Sequence, residues 1–130
     1  KDNYLYLLAD FDNYKKHTQK IFDETKEFQN EKLLSELLIF CDDFERASEI
    51  IKDEVAKKGL ILIKENFAKL LNEFGVKKID ALGKIVDPKF HEVLLKEKSD
   101  KTSGTILEEL QKGYTYKNKI LRHTKVKVAE

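Results

Sequence analysis

Three histidines, one cysteine and a run of basic residues are the side chains of this sequence with types suited to chemistry. His17, His91 and His123 could serve as bases or metal ligands, and Cys41 as a thiolate. Chemistry of that kind needs two or more such groups at a shared site. His91-Glu92 follows Asp87 at a spacing that matches no dedicated metal motif. Cys41 has no second thiol to pair with, and it stands between Leu37 and Phe44 in an apolar register, the place of a small hydrophobe. No glycine-rich phosphate loop occurs. No catalytic residue, metal ligand or cofactor is therefore expected, and the function sought is binding. The basic run is Lys112, Lys117, Lys119, Arg122, Lys125 and Lys127, with no acidic residue between Leu110 and Ala129. Six cations could contact nucleic-acid phosphates, but only Tyr114 and Tyr116 offer stacking surfaces and no nucleic-acid motif is present, so a nucleic-acid partner is not expected. Alternation of the lysines with Val126 and Val128 equally fits the solvated face of a strand.

The elements that carry these residues differ in composition. Residues 1–75 hold 12 Lys/Arg against 16 Asp/Glu, a balance of −4, and residues 76–130 hold 13 against 8, a balance of +5. The chain is 130 residues long and 38% charged, well above the usual fraction of about 25%, which implies a long solvated surface. No apolar run approaches the roughly 20 residues of a membrane span. No secretory signal is read, and a single cysteine fits a reducing compartment, so a cytoplasmic location is expected.

Tyr4, Leu7, Phe11, Tyr14, Thr18, Ile21, Thr25 and Phe28 are spaced 3, 4, 3, 4, 3, 4, 3. That period keeps one stripe of a helix facing a partner helix. Twenty-eight helical residues extend about 42 Å, too far for so short a chain to cover the stripe with its own core, and a second copy is the simplest partner. Threonine at two seam positions makes this coil marginal. A second heptad run, Leu34, Leu37, Cys41, Phe44, Ser48, Ile51 and Val55, starts two residues out of register, so the seam turns near residue 31. Residues 57–59 read as a helix stop and turn, and a third helix carrying Leu60, Ile63, Phe67, Leu70, Leu71 and Phe74 ends at Gly75. Two such hairpins pack naturally as a four-helix bundle.

Beyond Gly75 the period changes to two, with strand candidates at 76–79, 84–86, 93–95, 105–111, 114–116, 119–121 and 125–128, and turns at 87–88 and 99–104. The expected class is α+β. A coiled-coil helix occupies residues 1–32, a helical hairpin that dimerises as a four-helix bundle residues 33–75, and a small all-β domain residues 76–130.

Four stretches together, 9–14 (Ala-Asp-Phe-Asp-Asn-Tyr), 44–47 (Phe-Glu-Arg-Ala), 87–92 (Asp-Pro-Lys-Phe-His-Glu) and the Gly113-Tyr114 and Leu121-Arg122 elements of 112–129, resemble the GrpE family of nucleotide exchange factors for DnaK-type chaperones. The resemblance covers residues 4–130 and places Lys1 partway along the family's long helix. It implies a homodimer whose β-domain binds the nucleotide-binding domain of the chaperone and promotes ADP release by holding the cleft open. The basic cluster then acquires a third reading, a positive patch docked on an acidic protein surface. By position, the resemblance assigns chaperone contacts to Val86, Pro88, Val93, Leu110, Lys119 and Val128. It adds Gly59 at the opening of the second bundle helix, and Lys15 and Lys16 beside the coil, which otherwise read as solvated flanks. The dimer interface is expected at Leu7, Phe11, Tyr14, Ile21, Phe28, Leu34, Leu37, Cys41, Phe44, Ile63, Phe67 and Leu70. Gly113 is expected to hold a turn with positive φ. No proline follows Leu37-Leu38, where the family commonly has one, so the first two helices should run together. A coiled-coil scaffold without exchange activity shares the seam and the bundle, but gives no reason for the Gly-Tyr and Leu-Arg elements.

Overall fold

The computed structural model describes residues 2–130. Helix α1 spans Asp2–Ile50 and helix α2 Glu54–Glu73. Strands β1 Val76–Lys78, β2 His91–Glu97, β3 Ile106–Gln111, β4 Tyr114–Tyr116, β5 Lys119–Arg122 and β6 Thr124–Ala129 follow. The class is α+β, as expected. α1 continues through residues 37–39, because no proline removes a backbone donor there. Two compact units divide the chain, Lys1–Leu33 and Leu34–Glu130.

In the first unit the described residues form the leading part of α1, steadied by i,i+4 pairs such as Lys16–Asp12 (3.3 Å) and Gln19–Asp23 (3.0 Å). Its seam is uncovered: Tyr4, Leu7, Phe11, Tyr14, Ile21 and Phe28 are between 49% and 67% exposed. A helix whose apolar stripe stays in water draws little stability from packing, which is the main source of helical stability in proteins.

The second unit opens with a helical hairpin whose turn comes earlier than the sequence suggests. Residues 51–53 form it, while Lys57, Lys58 and Gly59 sit inside α2. The cause is Asp53, whose carboxylate accepts the Val55 N–H at 3.1 Å and whose carbonyl accepts the Lys57 N–H at 2.9 Å. This N-cap satisfies donors that the first turn leaves open, and it overrides the weak stop signal of Gly59. The far end is as expected: Gly75 adopts φ +90° directly after the cap residue Phe74. The α1 and α2 arms meet through an edge-on Phe44–Phe67 contact with ring centroids 5.6 Å apart.

Two three-stranded sheets complete the unit, ordered β1-β4-β5 and β2-β6-β3, with β2 and β6 parallel and every other pair antiparallel. Residues 84–86, read as a strand, form a single antiparallel bridge, Ile85 with Thr105, in which the Val86 N–H donates to the Gly104 carbonyl and the Lys84 carbonyl accepts the Ile106 N–H, each at 2.8 Å. The β4–β5 connection is a two-residue turn with Lys117 at φ 47° and Asn118 at φ 68°, the left-handed pair that suits a tight hairpin. The first sheet shares its core with the helices: Leu34, Leu38 and Leu71 cluster with Val76 and Tyr116, and Leu37, Cys41, Phe67, Tyr114 and Leu121 pack around them. The second sheet has a separate core of Ala81, Ile106, Val126 and Val128. The polypeptide therefore carries one apolar centre across residue 75, and the small second sheet has its own. β6 shows the expected alternation, with Thr124, Val126 and Val128 buried; β2 does not, because only His91 on it is buried.

Candidate partner-binding site

The Gly113-Tyr114 and Leu121-Arg122 elements meet at a crossing of the chain just before β4 and at the end of β5. A Cβ on Gly113 would lie 2.4 Å from the Thr124 nitrogen, 2.6 Å from its Oγ1 and 2.7 Å from the Arg122 carbonyl oxygen. Glycine is required there by backbone approach. The expected positive φ is a correction: the glycines with positive φ are Gly75, Gly83 and Gly104.

Arg122 ties this crossing to α1. Its Nη1 donates to Asp42 Oδ2 at 2.7 Å and its Nη2 to Asp42 Oδ1 at 2.8 Å, a two-pronged fork. Nε donates to the Lys112 carbonyl at 2.9 Å, and the guanidinium lies 5.5 Å over the Tyr114 ring. Gln111 Nε2 adds a bond to Asp42 Oδ2 at 3.2 Å. One turn along α1, Glu45 receives Lys112 Nζ at 2.7 Å and pairs with Lys64 of α2. Burial pushes the Glu45 carboxyl up, but hydrogen bonds from Lys112 and Lys64 prevail and hold it below the usual range. Beside them, burial raises both the Cys41 thiol and the Tyr114 hydroxyl, so both stay protonated at neutral pH. Three elements thus converge on two α1 carboxylates: Glu45 stands in the 44–47 stretch singled out in the sequence, though without a role, and Asp42 lies outside it. The available signal is Asp42, Glu45 and Glu49 at i, i+3 and i+7, set against a basic segment free of acids.

This geometry changes the reading of the basic cluster. Arg122 and Lys112 face carboxylates of their own chain, and Lys127 pairs with Glu108 at 3.0 Å and Glu97 at 3.3 Å. The six cations do not act as one outward patch. Lys119 is exposed at the start of β5.

The 87–92 stretch forms a turn built around Asp87. Its carbonyl accepts the Phe90 and His91 N–H groups, each at 2.9 Å, and its carboxylate accepts the Lys89 N–H at 3.0 Å. His91, 7% exposed, accepts the Asp87 N–H on Nδ1 at 2.9 Å, and burial lowers its pKa. The histidine therefore braces a turn. Among the described residues no group of three His, Cys, Asp or Glu side chains could hold a metal ion, and no helix is long and apolar enough to cross a membrane.

The expected contact residues are placed unevenly. Pro88 is exposed on that turn and Val86, half-buried, precedes it; Val93 on β2 and Leu110 on β3 are about two-fifths exposed. Val128 is a correction. It is 3% exposed inside the second core, because β6 is the central strand and its even-numbered side chains fill that core. Gly59 lies within α2 instead of opening that helix, and a methyl group added there would meet nothing within 4 Å. Lys15 and Lys16 are exposed on the first unit, Lys15 over the Phe11 ring at 5.6 Å. Among the expected dimer residues, Leu34 is already buried by its own chain, and Leu37, Cys41, Phe44 and Phe67 are half-buried there. Ile63 and Leu70 keep about half their surface in water.

Comparison with known proteins gives a consistent result. The sequence profile of the GrpE family matches residues 1–130. A Protein GrpE of Carboxydothermus hydrogenoformans is 40% identical over 98% of this chain and 67% of its own length. Those of Methanosphaera stadtmanae and Staphylococcus haemolyticus are 37% and 35% identical over 100% and 98% of this chain. The chain spans 76% and 64% of the length of these two relatives.

Proposed function

The chain belongs to the GrpE family, and from that premise we propose that it is an adenyl-nucleotide exchange factor of a DnaK-type chaperone. It acts as a homodimer in the cytoplasm and binds the chaperone's nucleotide-binding domain. ADP release follows because it favours the open cleft. The observation that carries this reading is the match along the whole chain, joined to the assembly of its Gly-Tyr and Leu-Arg elements at one crossing.

The proposed chaperone surface comprises Val86, Pro88, Val93, Leu110 and Lys119, with Lys15, Lys16 and Gly59 as contacts on the helices. Val128 contributes by supporting the sheet from inside. Dimerisation uses the uncovered seam Leu7, Phe11, Tyr14, Ile21 and Phe28, and the outer hairpin face that includes Ile63 and Leu70. Those side chains are exposed in the single chain and apolar, which is the composition of a surface that awaits a partner.

No bond chemistry is needed. A binder shifts a cleft only by the difference between its affinities for the open and closed states. Moving the cleft from about 1% to about 99% open takes about 5.5 kcal/mol of that difference. By linkage, ADP and this protein weaken each other's binding by the same factor. A broad interface supplies such energy; one lysine does not. Lys119→Ala is therefore expected to slow exchange severalfold without loss of fold. The direct test is stopped-flow release of a fluorescent ADP analogue from a DnaK-type chaperone of the same organism. Acceleration by orders of magnitude supports exchange. An unchanged rate, with a dimer established by light scattering, would leave a scaffold.

A further inference from the structure

The bond between Asp42 and Arg122 joins α1 to the end of β5 at the margin of the apolar cluster of Leu34, Leu38, Leu71, Val76 and Tyr116, next to Cys41, Tyr114 and Leu121 that pack around it. An apolar cluster alone is a nondirectional contact and lets one body pivot on another. A guanidinium fork is different, because two parallel N–H···O bonds are satisfied in one relative orientation only. The fork here is also fixed at its root. Nε and Nη2 both donate to the Lys112 carbonyl, so the guanidinium plane is set by the chain crossing at Gly113, where no Cβ fits. A second ion pair, Lys112 to Glu45, attaches the same crossing one turn further along α1. Both Asp42 and Arg122 side chains are about one-fifth exposed, so solvent competes weakly for the fork.

We propose that Arg122, through Asp42, is a positioning residue that locks the β4–β5 sheet to α1, so that force from the helical part reaches the chaperone cleft instead of being lost in a pivot. The proposal rests on the exchange reading above. With the fork broken, the chaperone could still be touched through Lys119 on β5 and through Val86, Pro88, Val93 and Leu110 on and beside the second sheet, and affinity would survive. A sheet free to rotate could not hold two lobes apart, because compliance reduces the difference in binding between open and closed states, the only quantity that drives opening.

The experiment measures ADP-analogue release from a DnaK-type chaperone over a range of exchange-factor concentrations. It compares the wild type with Asp42→Asn, which keeps the side-chain shape but loses the negative charge and puts an amide donor where one acceptor oxygen stood, and with Arg122→Lys, which cannot fork. The expected result is a maximal release rate about tenfold lower in both variants, with half-saturating concentrations within about twofold of wild type. Circular dichroism melts establish that each variant is folded. An unchanged maximal rate in a folded variant would overturn the proposal. So would a loss confined to half-saturation, or one shared equally between rate and affinity, since either would put Arg122 in the contact surface. Unfolding of both variants would also overturn it, assigning the fork to fold stability alone. Failure of the exchange reading is separate and visible without any variant, as a wild-type trace no faster than chaperone alone.

Discussion

At the residue scale, the two positions most bound by their surroundings are Gly113 and His91. Gly113→Ala places a methyl carbon against backbone atoms of residues 122 and 124 that cannot swing aside. Overpacking of this kind costs about 1–3 kcal/mol, and here it also pries the Arg122 crossing open. The variant is expected to lose unfolding free energy in that range, read as a lower urea midpoint at unchanged slope, with a partial loss of sheet signal in far-ultraviolet dichroism. His91 makes a pH-dependent contribution. Its Nδ1 accepts the Asp87 N–H, and imidazolium has no lone pair to do so. Burial opposes its charged form most; Lys84 and His123 oppose it too, while Asp87 and Glu109 favour it. The folded pKa therefore lies below 6.5, and the unfolded chain takes up the proton first. Stability from this site is complete above about pH 6.5 and is lost as pH falls toward and through the folded value. Urea midpoints at about pH 8 and about pH 5.5 should differ in the wild type and differ much less in His91→Gln. Sequence shows that Gly113 matters but not why. A motif reveals a glycine, whereas its close approach is made by residues on the far side of a hairpin.

At the element scale, the helices and strands are largely legible because their periods are regular, and the departures arise where one polar side chain overrides a pattern. Asp53 starts α2 ahead of residues 57–59, which moves Gly59 from a turn into a helix. A mid-helix glycine without positive φ and with open space beside it costs about 0.5–1 kcal/mol relative to alanine. Gly59→Ala should therefore stabilise the hairpin by that amount, seen as a higher urea midpoint. The same variant tests the proposed role of Gly59 toward the chaperone: a more stable protein with weaker chaperone binding would assign it to the contact, and unchanged binding would remove it. β6 is legible because it is the central strand of its sheet and has one buried face, so apolar and polar residues must alternate. β2 is only partly legible as an edge strand, where Val93, Leu94 and Leu95 are all exposed and period two carries no information. The roles of Asp42 and Glu45 escape a reading of sequence, although Glu45 stands in the 44–47 stretch, because their partners lie 80 and 67 residues away, beyond any local pattern.

At the scale of the whole molecule, two kinds of helix share one chain. Residues 34–50 and α2 bury Leu34, Leu38 and Leu71 against their own sheet, and their stability belongs to a packed core. Described residues before Leu34 bury no apolar side chain, so that stretch of helix depends on whatever covers its seam. Two seam positions are Thr18 and Thr25, which lack the buried volume that coiled-coil pairing rewards and carry hydroxyls that pairing would bury. The two stretches should then melt separately. Far-ultraviolet dichroism of the helical signal is expected to show a lower, reversible transition from the seam and a higher one from the hairpin and sheets. Replacing Thr18 and Thr25 together by leucine should raise the lower transition and leave the upper one in place, because each buried leucine adds about 1.5–3 kcal/mol to the paired state alone. The lower midpoint should also rise with protein concentration if a second copy covers the seam, since association stabilises by mass action. A single cooperative transition insensitive to concentration would mean that the seam does not pair, and the proposed homodimer would then rest on the hairpin face of Ile63 and Leu70 alone.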